Sequence, residues 1–383
     1  MTRRTGIAHL IMLTTIATSG SRSSPGADWS GSVDATADGG YVSNPQLLPH
    51  SGVTDESAVL TADGSAVMQT ERAQLTVTPR VSLTRYVHNS DLDFTVGSID
   101  LNSLEKFERG QLTVAGELLT DSTLVSELGL TGATRVNRRH DAATLSVGYQ
   151  YNQTERLAWV LQGSGQVTRY SDSPQFGLVN YNYASVQLGP TWNFTERVQG
   201  SLTLEADRIL PQDTPTQNAY SATVQVKRNF SEQYSWRASL GASKVEEGRT
   251  DYGTTPVYQL GATRQGERVQ WDVSFGRSVL PIGFGLLARS QQATLNLAAN
   301  VSERSTVSLT FSGIRTEPVV ASDFLVYAGA SWGQLVAQWK YNLSQHWALS
   351  VSYLEAQARN GNLAQLGIGN QGRIGILWQS GRL

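Results

Sequence analysis

The sequence predicts an all-β chain: a transmembrane antiparallel up-and-down β-barrel of about eighteen strands, with short turns at one end and longer loops at the other. Three observations predict it. A short polar turn motif recurs eight times, the residues flanking it alternate between apolar and polar with a period of two, and tryptophans gather beside the turns.

Residues 1–27 read as an export signal. Arg3 and Arg4 supply a positive start, GIAHLIMLTTIATSG a short apolar run interrupted near its beginning by His9, and small residues follow, with cleavage expected near Gly20 or near Ala27. Residues 28–383 form the barrel. Its first hairpin, Trp29 to Tyr41 and Ala58 to Val67, is disturbed by Asp34, Asp38 and Asp63; sixteen strands, with residues 28–57 as a periplasmic tail, are the alternative.

The turn motif then marks the chain. It stands at Gln69–Arg72, Lys106–Arg109, Asn152–Arg156, Asn193–Arg197, Asn229–Gln233, Gln265–Arg268, Asn300–Arg304 and Asn342–His346. Measured at the acidic position or its Gln345 equivalent, the spacings are 37, 47, 41, 36, 35, 36 and 42 residues, the period of a repeated supersecondary unit. Each interval holds two strands of about ten residues. After Arg72, for example, Leu75, Val77, Pro79, Val81 and Leu83 alternate with Thr76, Thr78, Arg80, Ser82 and Thr84. In each motif Asn tolerates positive φ, the Ser or Thr hydroxyl is placed to bond nearby backbone, and Glu-Arg keeps the tip in water. The segments between, such as SDSPQFGLVN and GRTDYGTTP, read as loops at the other end. A last hairpin runs from Trp347 to Leu354 and from about Leu366 to Trp378.

Seven of the nine tryptophans, Trp159, Trp192, Trp236, Trp271, Trp339, Trp347 and Trp378, lie at the level of the turns and predict a membrane-interface girdle there. Two features resist the pattern. Pro79 and Pro190 fall inside strands, where a local bulge is expected, and the chain ends on Leu383, where many such barrels end on an aromatic. An even strand number puts both termini on the turn side, the periplasm of a bacterial outer membrane.

Composition bounds the function. Charged residues are only 16% of the chain against the roughly 25% of a soluble domain, and the net charge of −2 gives no basic footprint for nucleic acid. With no Cys, thiol chemistry is excluded, and no run of eighteen apolar residues is present to cross a membrane as a helix. The histidines His9, His50, His88, His140 and His346 lack ligand spacing, so neither metal nor cofactor is expected. Gly367-Ile-Gly-Asn-Gln-Gly372 matches a dinucleotide fingerprint in form only, with too little chain after it for the helix it needs. The cluster Asn137-Arg-Arg-His-Asp141 is either an anion-binding or catalytic patch at the top of the barrel or a solvated strand end. No catalytic residue is assigned.

The inward parity carries the candidate site. Arg80, Glu117, Glu205, Asp207, Lys227, Arg237, Asp272 and Lys340 are expected to face the lumen, with both signs in similar numbers. Lys227 and Arg237 flank one turn. They either form a basic spot or pair with Glu205 and Asp207.

The periodic turns and their strands, as in TERAQLTVTPRVSLTRY, KFERGQLTVAGELL and SERSTVSLTFSG, together with DSTLVSEL and RVNRR between Leu119 and Asp141, resemble the outer-membrane barrels of the β-barrel porin type 2 group, found with PEP-CTERM/exosortase and exopolysaccharide systems. The likeness spans roughly residues 30–380. It implies an outer-membrane location and a part in polymer export or surface assembly, and it supplies no catalytic residues. The sequence therefore predicts a pore or conduit for polar solutes, with exopolysaccharide as the cargo the resemblance implies. A non-conducting barrel that anchors a surface-assembly complex, its lumen closed by loops Val87 to Asn102 and Leu119 to Asp141, is the alternative, and an outer-membrane hydrolase a minor one. The expected partners are outer-membrane lipids, the barrel-assembly machinery and periplasmic export components.

Overall fold

The computed structural model describes residues 27–49, 51–131, 137–171, 177–212, 214–248, 250–319, 329–360 and 366–380. Residues 1–26 of the expected export segment, His50 and Leu383 lie outside them. Eighteen strands run in chain order: β1 (Asp28–Ser43), β2 (Thr54–Gln69), β3 (Ala73–Tyr86), β4 (Phe94–Phe107), β5 (Gly110–Ser122), β6 (Arg139–Asn152), β7 (Leu157–Tyr170), β8 (Tyr181–Thr195) and β9 (Val198–Pro211). The second half continues with β10 (Gln217–Asn229), β11 (Tyr234–Glu247), β12 (Thr250–Gln265), β13 (Val269–Ile282), β14 (Leu286–Ser302), β15 (Ser305–Pro318), β16 (Ala330–Asn342), β17 (Trp347–Asn360) and β18 (Gly367–Gln379). Each pairs antiparallel with its chain neighbours, and β1 closes onto β18, so eighteen strands, not sixteen, complete the barrel. A closed barrel leaves no unpaired edge. With an apolar outer face, this one spans the bacterial outer membrane.

All eight turn motifs are hairpin turns between consecutive strands. Their repetition has two causes in the geometry. The motif's hydroxyl accepts from the backbone N–H groups two and three residues ahead: Thr154 from Arg156 and Leu157, Thr195 from Arg197 and Val198, Ser344 from His346 and Trp347. The carbonyl at the Arg position also accepts from the first residue of the next motif, as Arg109 does from Asn152, Arg156 from Asn193 and Arg197 from Asn229, at 2.7–2.8 Å. Each turn is thus fastened to the next around the rim. The expectation of positive φ at the motif asparagines is not met: among the described residues only Asn44 and Leu47 adopt it without being glycine. The backbone N–H at the motif's first position donates to the preceding turn whether that residue is Asn or, as at 106 and 265, Lys or Gln.

The prolines produce no bulge. Between β2 and β3 the register runs unshifted from Asp63↔Arg80 to Ala66↔Val77, and between β8 and β9 from Leu188↔Leu204 to Thr191↔Ser201; only the intervening pairings are lost. Both rings lie on the apolar face, and Gly189 makes room beside Pro190, because a Cβ there would run into the Leu202 carbonyl. Strands are also longer than the expected ten residues, at 13 to 17. They continue past the apolar band at the loop end, so that 94–102 is part of β4 and 139–141 part of β6 rather than loop.

A short helix, α1 (Ser126–Thr131), lies in the connection from β5 to β6 and contacts β15 and β16 across the barrel. The buried apolar side chains collect at this end in two clusters. One joins Tyr170, Leu178, Tyr181, Ile209, Ala219, Val245, Leu287 and Val319; the other joins Leu47, Leu128, Ala356 and Ala358, with Trp332 and Leu354 against it.

Candidate functional site

Contacts across the barrel fix which face is inside. Tyr170 of β7 donates its O–H to Glu127 of α1, whose other carboxylate oxygen accepts from Gly283 N between β13 and β14 at 3.1 Å. Gln217 of β10 accepts from Leu287 N of β14 at 2.8 Å. Side chains alternate along a strand, so Tyr170 and Gln217 define the inward parity, and the register carries it from strand to strand round the closed sheet.

That register places all eight candidates, Arg80, Glu117, Glu205, Asp207, Lys227, Arg237, Asp272 and Lys340, on the same face as Tyr170 and Gln217. It does not gather them into one cluster. Arg80 pairs with Asp63 at 3.3 Å, Asp272 accepts from the Thr263 hydroxyl at 2.6 Å, and Lys340 donates to Gln379 at 3.4 Å. Glu205 accepts from Gln187 at 2.7 Å and from Ser185, while Asp207 accepts from the Tyr183 hydroxyl at 2.7 Å. Lys227 and Arg237 are direct cross-strand partners, and their register separates them from Glu205 and Asp207 by most of the strand; they form the basic spot rather than the charge pairs.

The eight candidates carry the two signs equally, and the full register adds more acids than bases to them. Among the described strand residues, twelve carboxylates share the inward parity: Asp28, Asp34 and Asp38 on β1, Asp55 and Asp63 on β2, Asp100 on β4, Glu117 and Asp121 on β5, Glu205 and Asp207 on β9, Glu247 on β11 and Asp272 on β13. Six bases share it: Arg80, Lys106, Lys227, Arg237, Lys340 and Arg373. Eight of the acids stand on β1 to β5, and Asp100 and Glu117 face each other directly. Several were missed in sequence because the aspartates of β1 and β2 looked like interruptions of a strand, when they are its inward positions.

The mouth at the loop end is narrowed by α1. Leu128 packs toward one cluster, and Glu127 reaches the other. Burial pushes the Glu127 carboxyl above the ordinary glutamate value, against the lowering effect of the Tyr170 hydrogen bond. His140 pairs with Asp121 at 2.8 Å, both buried, and stacks on Tyr170 at 5.1 Å. Parity divides the Asn137–Asp141 cluster, which is therefore neither one anion patch nor one solvated end. Asn137 ties down Ser122 and the Asp91 carbonyl, His140 turns inward, and Arg139 pairs with Asp141 outside at 2.9 Å.

The outer face has two chemically different edges. All seven girdle tryptophans take the outward parity near the turns, joined there by Trp29, whereas Trp332 faces in. Toward the loop edge nine strands carry an outward base instead: Arg85, Arg139, Arg169, Arg208, Lys244, Arg277, Arg289, Arg315 and Arg359. From Leu75 to Arg85 is about 33 Å along the strand, or about 25 Å of membrane normal at a tilt near 40°.

No family model matches the chain, and no curated protein matches it in sequence. Among solved structures it is similar to OpdQ of Pseudomonas aeruginosa, at 9% identity over 93% of this chain and 98% of that one, with a TM-score of 0.48. It is also similar to OccK7 (OpdD) of Pseudomonas aeruginosa, at 10% identity over 93% and 99%, TM-score 0.47, and to OccAB3 of Acinetobacter baumannii, at 10% over 93% and 100%, TM-score 0.45. Values this low carry no functional weight. None of these findings supports the exosortase and exopolysaccharide association.

Proposed function

We propose that the chain forms an aqueous pathway through the outer membrane for small polar solutes, without covalent chemistry, and that it favours cations. The observation that carries this reading is the excess of twelve inward carboxylates over six inward bases. In a narrow, low-dielectric passage, fixed charge of one sign concentrates counter-ions and excludes like-charged solutes. Lys227 and Arg237, side by side near the turns, oppose that preference at the periplasmic end. Insertion through the barrel-assembly machinery and contact with outer-membrane lipids are the partners this reading requires. Periplasmic export components and an exopolysaccharide cargo have no observation behind them, since the mouth is crossed by α1.

The test is the reversal potential of the refolded barrel in a planar bilayer under a salt gradient. The expected sign is that of cation preference, reduced in Asp100→Asn/Glu117→Gln and increased in Lys227→Gln/Arg237→Gln. An anion-selective channel would overturn the cation preference. A folded barrel that never conducts would overturn the pathway itself and favour the anchoring alternative, whose support is the apolar packing around α1.

A further inference from the structure

The basic loop edge of the outer face has no part in permeation. Tryptophan at the turn edge suits an ordinary interface, because its ring is apolar and its N–H polar. Guanidinium at the opposite edge is a different choice: a planar fork of donors matched to phosphate oxygens. Some of these bases are occupied locally, Arg315 by Glu317 at 2.8 Å, Arg139 by Asp141 and Lys244 by Glu246. Others have no acid. Among the described residues, Arg208, Arg277 and Arg289 have no carboxylate within ion-pair distance, and the Nε atoms of Arg277 and Arg289 are shielded from water without a hydrogen-bond partner, although Arg289 donates one Nη to the Val319 carbonyl at 3.3 Å.

Arg277 and Arg289 adjoin a groove. Register puts Arg277, Gln291 and Arg315 in one outward row, with Arg289 one pair nearer the loops beside Glu317. Below this row a cavity of about 590 Å³ opens on the outer face, walled by Phe275, Phe311 and Leu335, with Gln291 and Arg315 at its upper end and Glu355 at its far side. Those walls face the bilayer, so what fills the groove is an acyl chain. Two guanidiniums above it, neither matched by a carboxylate, call for an anion at the headgroup level.

We propose that this groove is a binding site for a phosphate-bearing lipid of the outer leaflet, its phosphate held by Arg277 and Arg289 and a chain lying between Phe275, Phe311 and Leu335. Glu317 already neutralises Arg315, which leaves the other two to make the site cationic. The lipid seats the barrel at a fixed depth from its loop edge, as the tryptophans do from the turn edge.

The test is native mass spectrometry of the refolded barrel in detergent, its folding checked by heat-modifiable gel mobility, with dioleoyl phosphatidic acid, dioleoyl phosphatidylcholine or inorganic phosphate added. The unaltered barrel is expected to retain phosphatidic acid in preference to phosphatidylcholine with the same chains, and inorganic phosphate not at all. Arg277→Gln and Arg289→Gln are each expected to weaken phosphatidic acid retention roughly fivefold. Arg228→Gln, an outward arginine at the turn edge, is expected to leave it unchanged. Equal retention of the two lipids by the unaltered barrel, which needs no variant to fold, would overturn the proposal, as would undiminished retention in Arg277→Gln/Arg289→Gln. Inorganic phosphate bound as well as the lipid would reduce the site to an adventitious ion only.

Discussion

At the turn end eight hairpins close with one motif, each bonded to the next by a backbone hydrogen bond, and their side chains stand in water. At the loop end the connections differ in length and sequence, and side chains from strands far apart in the sheet meet across the mouth: Tyr170 and Gly283 at Glu127, Leu128 beside Ala356 and Ala358. The first end is held by local hydrogen bonds repeated many times, the second by non-local burial made once. Local terms are individually small and redundant, whereas a buried cluster loses packing on several strands when one member is cut.

The largest effect is therefore expected inside the loop-end core. Ile209 is fully buried among Tyr170, Ala219 and Val245, so Ile209→Ala removes packing and leaves a cavity, at about 2–5 kcal/mol. Urea unfolding of the refolded barrel, followed by tryptophan fluorescence, measures it. A loss no greater than that for Leu161→Ala, which faces lipid on β7, would mean that the two ends are equally soft.

Glu127 sharpens the comparison through pH. Burial favours its neutral form, so its contribution to holding α1 in place is fully present below the ordinary glutamate value and is lost as pH rises through the raised one. The ionisable groups facing it are Asp121 and His140, which pair with each other, and the phenols Tyr170 and Tyr181. Hydrogen exchange at the amides of Leu128 and Glu127, which bond the Thr123 carbonyl, is expected to quicken toward alkaline pH beyond the intrinsic rate. In Glu127→Gln that excess is expected to vanish. An excess that persists in the variant would mean that Glu127 is not what loosens α1.

The same contrast explains what the sequence disclosed. The eighteen strands were legible because the turn motif repeats and because period-two alternation needs only near neighbours. The girdle was legible for the same reason, Trp29 being missed only because Asp34 and Asp38 obscured its hairpin. The inward parity of Arg80 or Asp272 could be read within one strand, but the acid excess could not. It emerges when β1 and β2 are aligned with β4 and β5, and a carboxylate such as Asp38 then becomes a lining position rather than a fault. Glu127 was invisible. Nothing local distinguishes it from any glutamate in a polar loop, and its partners lie 43 and 156 residues away.

The smallest effect is expected where the signal was clearest. Thr154→Ala removes a hydroxyl that accepts from Arg156 and Leu157 at 3.2 and 3.0 Å, both donors lying in an exposed turn where water replaces the lost acceptor. The loss is about 0.5–1 kcal/mol, roughly a tenth to a half of that at Ile209. Replacing the hydroxyls of Thr154, Thr195, Ser231 and Ser344 together should give close to the sum of the four, because each hydroxyl bonds only the backbone of its own turn. If the combined variant loses markedly more, the Arg-carbonyl bonds from turn to turn couple the rim into one unit, and the turn end is cooperative in its own way. The repeat would then be selected as a ring, and not as eight separate solutions to one turn.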